Sequence, residues 1–513
     1  MPISNYQVPG VYVTQTTSAL TSVSPTSLSI AIVADQQTPG SQTDTFYAPV
    51  PTSGIPLGQL SVPTVNTTST GTYASYSGFT LTWTSGNTTS GTTVTGTYGY
   101  NFNISTANGI STLTTVGVTA TGVNVLPSGT LTLQYGHNWG AYGRYTSQNA
   151  VSSAIGPAIS GTTIVNPAVL ASQLAFQNGA SIVSIVPVAR VSNSGSAQPS
   201  DWANTLTVAT SGSNPIYLSN TAADVIVPLN SLTSNGVITG VTAGTVAYAI
   251  NSYINTQANN GIYQRAFLGV DGTNAQTTVS SYQALANGFN SSRVSVIYPP
   301  VVNFNPGLNT TNGLSNATIN IAGYYVAAAL AGLFVGQQPD ISTPITNKQV
   351  LGFNDIPNQI NLIDAQTSYL PYGVLVVRKK TDGNFWVLHG LTTNVQNWLA
   401  QEISISAIGD RLAQIVRTDL INSYLVGGPL TKNTSAAALA TVQATLTNAL
   451  SNGLIQGYQN LSFSVNQATP TTITVSFQYA PTFPINYIQA NVSLNTQTGQ
   501  VVYGNAQSNF VVY

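Results

Sequence analysis

The stretch from residue 166 to residue 298 most constrains the fold, because helix-like and strand-like segments alternate along it. Asn166 and Pro167 supply a helix start, and Gly179 stands just beyond the end of that helix at Gln177. Apolar runs at residues 181–188, 224–229, 265–270 and 293–298 alternate with helical patterns at residues 246–254 and 279–289. Strands that are apolar throughout predict a mostly parallel sheet covered by helices on both faces.

Residues 323–393 continue this pattern with a helix, a loop and a hairpin. The helix contains small residues such as Ala327 and Gly332, which permit close packing, and Pro339 and Pro344 punctuate the loop after it. Two β-rich runs then flank Asp382-Gly383. An Asp-Gly pair between apolar runs predicts a β-hairpin.

The two ends of the chain differ from this middle. Residues 44–136 are rich in Thr, Ser and Gly, and short β-like runs at residues 79–83, 92–97 and 130–135 predict an all-β insertion. Low-complexity disorder is the alternative for this stretch. Toward the C-terminus, helices are predicted at residues 397–424 and 435–451, and strands at residues 463–465, 472–479 and 487–494. The predicted fold class is α/β multidomain, with an α+β C-terminal domain and an all-β insertion.

Charged residues make up only 4% of the 513 residues, and the formal net charge is −1. A surface with so little like-charge repulsion is prone to associate, which indicates a subunit that is partly buried in an assembly. Most of the charges lie between Asp340 and Lys432, and no basic patch suited to phosphates is present. Nucleic-acid binding is therefore not expected.

Several kinds of site are disfavoured by residue type. The chain contains no cysteine, which excludes disulfides and thiolate metal sites. Its two histidines, His137 and His389, cannot form a zinc site without a carboxylate cluster, and no P-loop, G-x-S-x-G or H-E-x-x-H motif occurs. We therefore expect no catalytic residue, cofactor or metal. The N-terminus lacks a signal-peptide pattern, and the longest apolar run, residues 324–335, is too short to span a bilayer.

The order of these pieces resembles the contractile tail sheath proteins of bacteriophages. In that family an "AG" helix precedes a loop between two prolines, a strand that opens on Gly-Val, and a strand with a Trp–Gly–Thr pattern, which Trp386, Gly390 and Thr392 fill in this chain. The segments PGVYV at residues 9–13, NPAVLASQLAFQNGASIVSIVPV at 166–188 and TITVSFQYAPTFPINYIQANVSL at 472–494 are similar to sheath sequences as well.

The resemblance implies a domain organisation and a core with a subtilisin-like fold. The implied units are an N-terminal linker arm (1–22), a strand contributed to the core (23–43), a peripheral all-β insertion (44–136), the α/β sheath core (137–383), the C-terminal sheath domain (384–495) and a C-terminal linker arm (496–513). Because subtilisin carries a Ser-His-Asp triad, the possibility of such a triad arises for this chain too. Fold does not carry function, however, and we expect structurally satisfied histidines instead.

The resemblance also implies a structural function. Such subunits stack as rings, implied to be sixfold, around a tail tube and contract to drive the tube through the host envelope. The implied partners are further copies of the chain, the tail tube protein, and the baseplate and tail terminator proteins. Membrane insertion is not implied, and the implied location is the virion, after assembly in the host cytoplasm.

Both ends of the chain are candidates for links between subunits. Pro9 cannot donate a hydrogen bond to a strand neighbour, so the strand around it belongs at a sheet edge. This strand is either the first strand of its own domain or one lent to a neighbour by β-augmentation, which the family resemblance favours. The arm candidates are Pro9, Gly10, Val11, Tyr12 and Val13 at one end and Phe510, Val511, Val512 and Tyr513 at the other.

Two charged groups are candidates for further contacts. Arg378, Lys379 and Lys380 precede the Asp-Gly turn and are either a solvated hairpin shoulder or a contact between subunits. Asp410, Arg411, Arg417 and Asp419 lie on the helix predicted at residues 397–424. The alternatives for these four are a solvated helix face or, by family resemblance, a surface that faces the inner tube.

Three other functions stay open at this point. A phage-like injection or secretion system uses the same kind of sheath. A secreted β-rich adhesin or surface-layer protein would suit the Thr/Ser-rich insertion, although the α/β pattern and the missing signal peptide disfavour it. An esterase or protease on the α/β core would need a reactive serine.

Overall fold

The computed structural model describes nineteen segments of the chain. They are residues 28–35, 40–47, 55–58, 79–84, 93–95, 102–107, 110–115, 130–137, 143–160, 162–188, 197–206, 223–230, 232–234, 237–273, 277–306, 318–337, 343–423, 431–465 and 473–485. For the segments between residues 40 and 137, the structure describes only how the strands pair through their backbones.

The strands within these segments fall into three groups along the chain. The first group is β1 Ser29–Ala34, β2 Gly40–Tyr47, β3 Ile55–Gly58, β4 Phe79–Thr84, β5 Thr93–Thr95, β6 Phe102–Ala107, β7 Ile110–Thr115, β8 Thr130–His137 and β9 Gly143–Tyr145. The second is β10 Ile159–Ser160, β11 Thr163–Ile164, β12 Ile182–Pro187, β13 Val225–Leu229, β14 Thr233–Ser234, β15 Val237–Ile238, β16 Arg265–Gly269, β17 Val294–Tyr298, β18 Val301–Phe304 and β19 Ile319–Ala322. The third is β20 Gln349–Val350, β21 Val374–Lys379, β22 Phe385–Val387, β23 Ile455–Val465 and β24 Ile473–Pro481.

The helices alternate with the second and third groups of strands. They are α1 Gln148–Ile155, α2 Pro167–Gln177, α3 Pro199–Leu206, α4 Val246–Asn259, α5 Val279–Phe289, α6 Gly323–Val335, α7 Leu362–Asp364, α8 Trp398–Gln401, α9 Ile403–Asn422 and α10 Lys432–Ser451. A π-turn at Ala365–Tyr369 and a 3-10 turn at Leu370–Tyr372 follow α7.

A nine-stranded mixed sheet forms the centre of the molecule, in the order β20-β22-β21-β17-β16-β13-β1-β12-β9. The six middle strands, from β21 to β12, are mutually parallel. The antiparallel strands β9, β22 and β20 complete the two sides. This arrangement is the α/β architecture that the alternating pattern predicts.

Helices cover the sheet on both faces, and the side chains of β1 show the division. Ile30 and Ile32 point into a core with α2 and α6, whereas Ala31 and Val33 point into a second core with α3, α4 and α5. All six residues of β1 are buried. A strand buried on both faces must be apolar throughout, which is why its sequence shows no polar alternation.

The helices α2 and α6 pack closely because glycine stands at their contact. A Cβ atom at Gly332 would overlap the backbone oxygen of Ala175, and one at Gly336 would lie 2.7 Å from the oxygen of Gly179. The small residues noted in the sequence of α6 are therefore required by a neighbouring backbone.

The inserted stretch pairs as the sequence predicts, in strands. A four-stranded sheet has the order β2-β8-β4-β5, and a three-stranded sheet the order β3-β7-β6, all antiparallel.

The C-terminal elements form a separate small core. Apolar residues of α9 and α10, including Leu412, Val416, Val442 and Leu446, pack with one face of the β23–β24 hairpin. The first turns of α9 belong instead to the core of the large sheet through Ile403 and Ala407. The long helix α9 therefore joins the two cores.

Several sequence predictions are corrected by the structure. Asn166 stands at the start of α2, but its side chain donates to Pro157 O (2.6 Å) and does not cap the helix. The helix predicted at residues 397–424 is broken at Glu402, where the backbone is extended. Strand β23 begins at Ile455, eight residues before the predicted strand. The boundary placed between residues 383 and 384 falls inside the β21–β22 hairpin, and β22 belongs to the large sheet. The strand predicted at residues 487–494 lies outside the described residues.

Candidate interaction surfaces

Asp410, one of the charged residues that the sequence singles out, is buried and contacts two arginines. Its Oδ2 atom accepts a short hydrogen bond from Arg265 Nη2, and its Oδ1 atom accepts from Arg293 Nη2 at 2.7 Å and Nε at 3.1 Å. Arg265 also donates from Nη1 to Ser406 Oγ (2.7 Å) and Ser292 O (3.0 Å). These bonds tie the N-terminal ends of the parallel strands β16 and β17 to the middle of α9.

The electrostatics of this cluster follow from its burial. Asp410 is 4% exposed and Arg265 is 5% exposed. Burial lowers the pKa of the Arg265 guanidinium, the Asp410 carboxylate opposes that change, and Arg293 adds to the lowering. The Tyr263 ring, 5.0 Å from the Arg293 guanidinium, and the hydrogen bonds from Arg293 help to hold the second positive charge.

The other charged residues of α9 also have partners within the chain. Arg417 Nη1 donates to Gly261 O (3.1 Å), and Asp419 Oδ2 accepts from Thr445 Oγ1 of α10 (2.6 Å). Burial raises the pKa of the Asp224 carboxyl group, and the positive charge of Arg411 partly offsets this increase. Because Asp410 lies beneath the surface, any contact of α9 with an inner tube must come from other residues of the helix. That α9 faces a tube stays a prediction.

The basic shoulder of the β21–β22 hairpin is only partly free for a partner. Arg378 Nε donates to Ile360 O (3.0 Å), and Lys379 Nζ donates to Asn354 O (2.9 Å) and Asp355 Oδ1 (3.1 Å). Lys380 Nζ lies 4.2 Å from the centroid of the Trp386 ring. A contact between subunits at this shoulder stays a prediction, with the exposed Lys380 as its most accessible cation.

His389 follows β22 and does not lie within it. Its Nε2 atom is 2.6 Å from Glu402 Oε2, and Ser404 Oγ donates to Glu402 Oε1 at 3.3 Å. Glu402 is the residue at which the helix predicted at 397–424 is interrupted, and its backbone bridges to Leu391. The pair is a hydrogen-bonded link between the end of the large sheet and α9, as the structural interpretation of this histidine expects.

The β23–β24 hairpin is a surface that the sequence did not single out. It forms a two-stranded sheet, so each strand has one edge without a strand partner among the residues that the structure describes. No charged residue follows Lys432 in the chain, so neither edge carries the charges with which proteins commonly block strand addition. The register of the hairpin shifts between Ile455 and Gly457 and again between Gln459 and Ser462, and the pairing is regular from Ser462 to Val465 with Ile473 to Ser476.

The arm candidates cannot be placed by the structure. Residues 9–13 and 510–513 lie outside the described residues, so their contacts stay predictions. Within the described segments, no group of three or more His, Asp or Glu side chains could hold a metal ion. No helix in those segments is both long and apolar enough to cross a membrane.

Two kinds of comparison relate the chain to known proteins, and no family model matches it. The sequence is 26% identical over 364 residues to the tail sheath protein of Mycobacterium phage Bxz1, a match that covers 70% of this chain and 57% of that protein. The chain therefore matches little more than half the length of this relative.

Solved sheath structures show a lower similarity. The contracted helical sheath of the anti-feeding prophage has a TM-score of 0.49 and 15% identity, covering 69% of this chain and 88% of that one. The contracted sheath complex of an extracellular contractile injection system has a TM-score of 0.47 and 13% identity, covering 69% and 87%. The sheath tail protein from Listeria innocua has a TM-score of 0.45 and 12% identity, covering 67% and 90%. The sequence match, which covers 70% of this chain, shows that the chain is similar to a phage tail sheath protein.

Proposed function

We propose that the chain is the repeating subunit of a contractile phage tail sheath. Copies polymerise as stacked rings around a tail tube, and contraction of the assembly drives the tube through the host envelope. The observation that carries this proposal is the sequence match with a phage tail sheath protein over 364 residues. The proposed role is structural and involves no catalysis, as the name of that relative, a tail sheath protein, suggests.

Contraction requires links between subunits that survive large rotations of each subunit. We propose that arms at residues 1–22 and 496–513 supply these links by adding strands to sheets of neighbouring copies. The uncharged edges of the β23–β24 hairpin support this proposal, because they offer backbone groups for such pairing. At ~0.5–1.5 kcal/mol net for each hydrogen bond, several bonds per strand would hold neighbours together while side-chain contacts exchange.

The remaining domain ranges are retained as proposals, with one change. We propose that the insertion at residues 44–136 lies on the outside of the particle, and that the α/β core and the C-terminal domain, which the sequence assigns to residues 137–383 and 384–495, meet after β22. Because β22 belongs to the large sheet, we extend the core to include the β21–β22 hairpin. The tube, baseplate and terminator proteins remain the proposed partners in the virion.

The energy of contraction is proposed to come from apolar burial and neutral hydrogen bonds. Only 4% of residues are charged, and the charged residues Asp410 and Arg265 are already paired inside the subunit. Few charges therefore remain for exchange between neighbours. Contraction should consequently depend only weakly on salt concentration, and strong inhibition by salt would contradict this part of the proposal.

Deletion of the arms tests the proposal directly. Chains lacking residues 1–17 or residues 501–513 are expected to fold but to form no long tubes in negative-stain micrographs, whereas the full chain forms tubes with ring striations. A control variant replaces residues 501–513 with a Gly/Ser segment of equal length, and it should also fail, because chain length alone cannot supply strand pairing. Normal tubes from both truncated chains would refute the proposal that the arms link subunits. A full chain that never forms tubes would refute the proposal that the chain is a sheath subunit.

A further inference from the structure

An exposed aromatic pair stands at the point where the described part of the C-terminal domain ends. The Trp398 and Phe483 rings are stacked, with centroids 5.7 Å apart and an interplanar angle of 25°. Trp398 is 66% exposed, and Ile485, two residues beyond Phe483, is 82% exposed. These three residues, which we call the exit patch, join the start of α8 to the segment after β24.

Both rings of the exit patch are mounted on a fixed backbone. Asn397, the residue before Trp398, caps α8 by accepting a hydrogen bond from Leu399 N at 3.0 Å. Thr482, the residue before Phe483, donates from Oγ1 to Gly453 O at 2.6 Å. These bonds anchor the backbone beside each ring, which reduces the backbone entropy lost on binding.

The surroundings of the exit patch suit an uncharged partner. No charged residue occurs in residues 394–401 or in residues 480–485. Docking on these two stretches would bury no charge of their own, and the removal of water from charges is a main cost of burying a polar surface. Tryptophan is also among the residues that most often dominate binding energy at protein interfaces.

We propose that the exit patch is a docking surface for the folded body of a second copy of this chain. The inference rests on the proposed function, in which the C-terminal arm of one copy reaches the next. The 28 residues after Ile485 begin at this patch, so a copy that binds the end of this arm is tethered to the patch, and the tether raises the local concentration of that copy there. A body with 4% charged residues offers the uncharged surface that this patch requires.

Assembly of purified full-length variants tests the patch. Trp398→Ser and Ile485→Ser should each raise the protein concentration needed for tube formation by at least about tenfold, the size of effect expected for a central interface residue. Ile363→Ser is the matched control, because Ile363 is 71% exposed on α7 and lies outside the patch. If all three variants behave alike, or if both patch variants assemble as the original chain does, the proposal is overturned. Ile485 is so exposed that its variant keeps the test valid should Trp398→Ser unfold.

Thiol labelling separates this proposal from that of the arms. The chain has no cysteine, so Ile485→Cys or Ile363→Cys introduces the single reactive thiol. Maleimide should label Ile485→Cys at least about tenfold more slowly in tubes than in free subunits, while Ile363→Cys shows a smaller change. Equal rates in tubes and subunits would overturn the exit patch, even where arm deletions abolish tubes as proposed. Protection of Ile485→Cys in tubes that still form without residues 501–513 would support the patch and refute the arm.

Discussion

The nine-stranded sheet and the β23–β24 sheet differ in how their edge strands are built. The nine-stranded sheet ends in β9, of three residues, and β20, of two residues, so it offers little backbone for another strand. The β23–β24 sheet has strands of eleven and nine residues, each with an uncharged edge that lacks a strand partner in the described residues. Short edge strands are a common defence against unwanted pairing, and the hairpin lacks that defence.

The two sheets also differ in how deeply their strands are buried. Strands such as β1 and β16 are buried on both faces, whereas β24 alternates half-buried and exposed residues until Pro481. Among the described residues, the large sheet has only short edge strands, whereas both strands of the hairpin have an unpaired edge. The difference indicates that stability is concentrated in the large sheet and that the hairpin is available for assembly. The following predictions test that contrast.

The largest contrast is expected between two phenylalanines. Phe267 of β16 is 1% exposed and contacts the Phe334 ring of α6 at a centroid distance of 5.7 Å. Phe267→Ala should lower the free energy of unfolding by about 4 kcal/mol, because it leaves a cavity in a core that cannot collapse. Phe463→Ala in β23, where the ring is 43% exposed, should cost below about 1 kcal/mol. Urea denaturation of both variants gives the comparison, and equal losses would contradict it.

The buried charge cluster should show the next largest effect. Asp410→Asn removes the carboxylate that Arg265 and Arg293 contact and should lower the free energy of unfolding by about 3 kcal/mol, because two cations then lack their counter-charge. The control is Asp364→Asn on exposed α7, which should change stability by about 0.5 kcal/mol or less. A similar change for the two variants would show that the cluster does not hold α9 on the sheet.

The close contact between α2 and α6 should show a smaller effect. Gly332→Ala places a methyl group against the backbone of Ala175, and we expect a net loss of about 2 kcal/mol, even though alanine favours helices more than glycine does. Gly240→Ala, where no atom lies within 4 Å of the added carbon, serves as the control. Thermal unfolding of both variants measures the difference, and an unchanged Tm for Gly332→Ala would mean that the two helices can separate without loss.

The smallest effect is expected at the hairpin shoulder. Lys379 Nζ lies 3.1 Å from Asp355 Oδ1, and the two side chains are 32% and 61% exposed, respectively. Lys379→Gln should change the free energy of unfolding by less than about 0.5 kcal/mol, because solvent and salt screen such a pair. Chemical denaturation at low and high salt checks this, and a loss comparable to that of Asp410→Asn would erase the distinction between buried and exposed charge.

The sequence predicted local elements well where a pattern and its end signals coincide. Helix α5 spans Val279–Phe289 as predicted, and β21 and β22 flank the Asp382-Gly383 turn. The sequence-based prediction failed at Glu402, where the apolar helical pattern continues although the backbone is extended between α8 and α9. That break coincides with the contacts of Glu402 with His389 and Ser404, which lie thirteen and two residues away.

The candidate interaction residues were less predictable. The charges of α9 looked like a solvated or tube-facing surface, because a helical pattern does not reveal what lies opposite each residue. Isolated arginines at the starts of the apolar strands β16 and β17 were the one available signal, since a buried charge needs a partner. The exit patch left no signal at all, because Trp398 and Phe483 are far apart in sequence.

What the sequence determined by itself is the alternation of apolar strands and helices, the near absence of charge, and hence a covered sheet in a subunit prone to associate. Only the tertiary structure decided that β1 lies between β12 and β13, and that Asp410 meets Arg265 across 145 residues of chain. Periodicity and helix capping depend on residues that are close together in the chain, so they can be recognised from the sequence. Strand order and charge pairing depend on the total burial of distant segments, which is established only when the chain is folded.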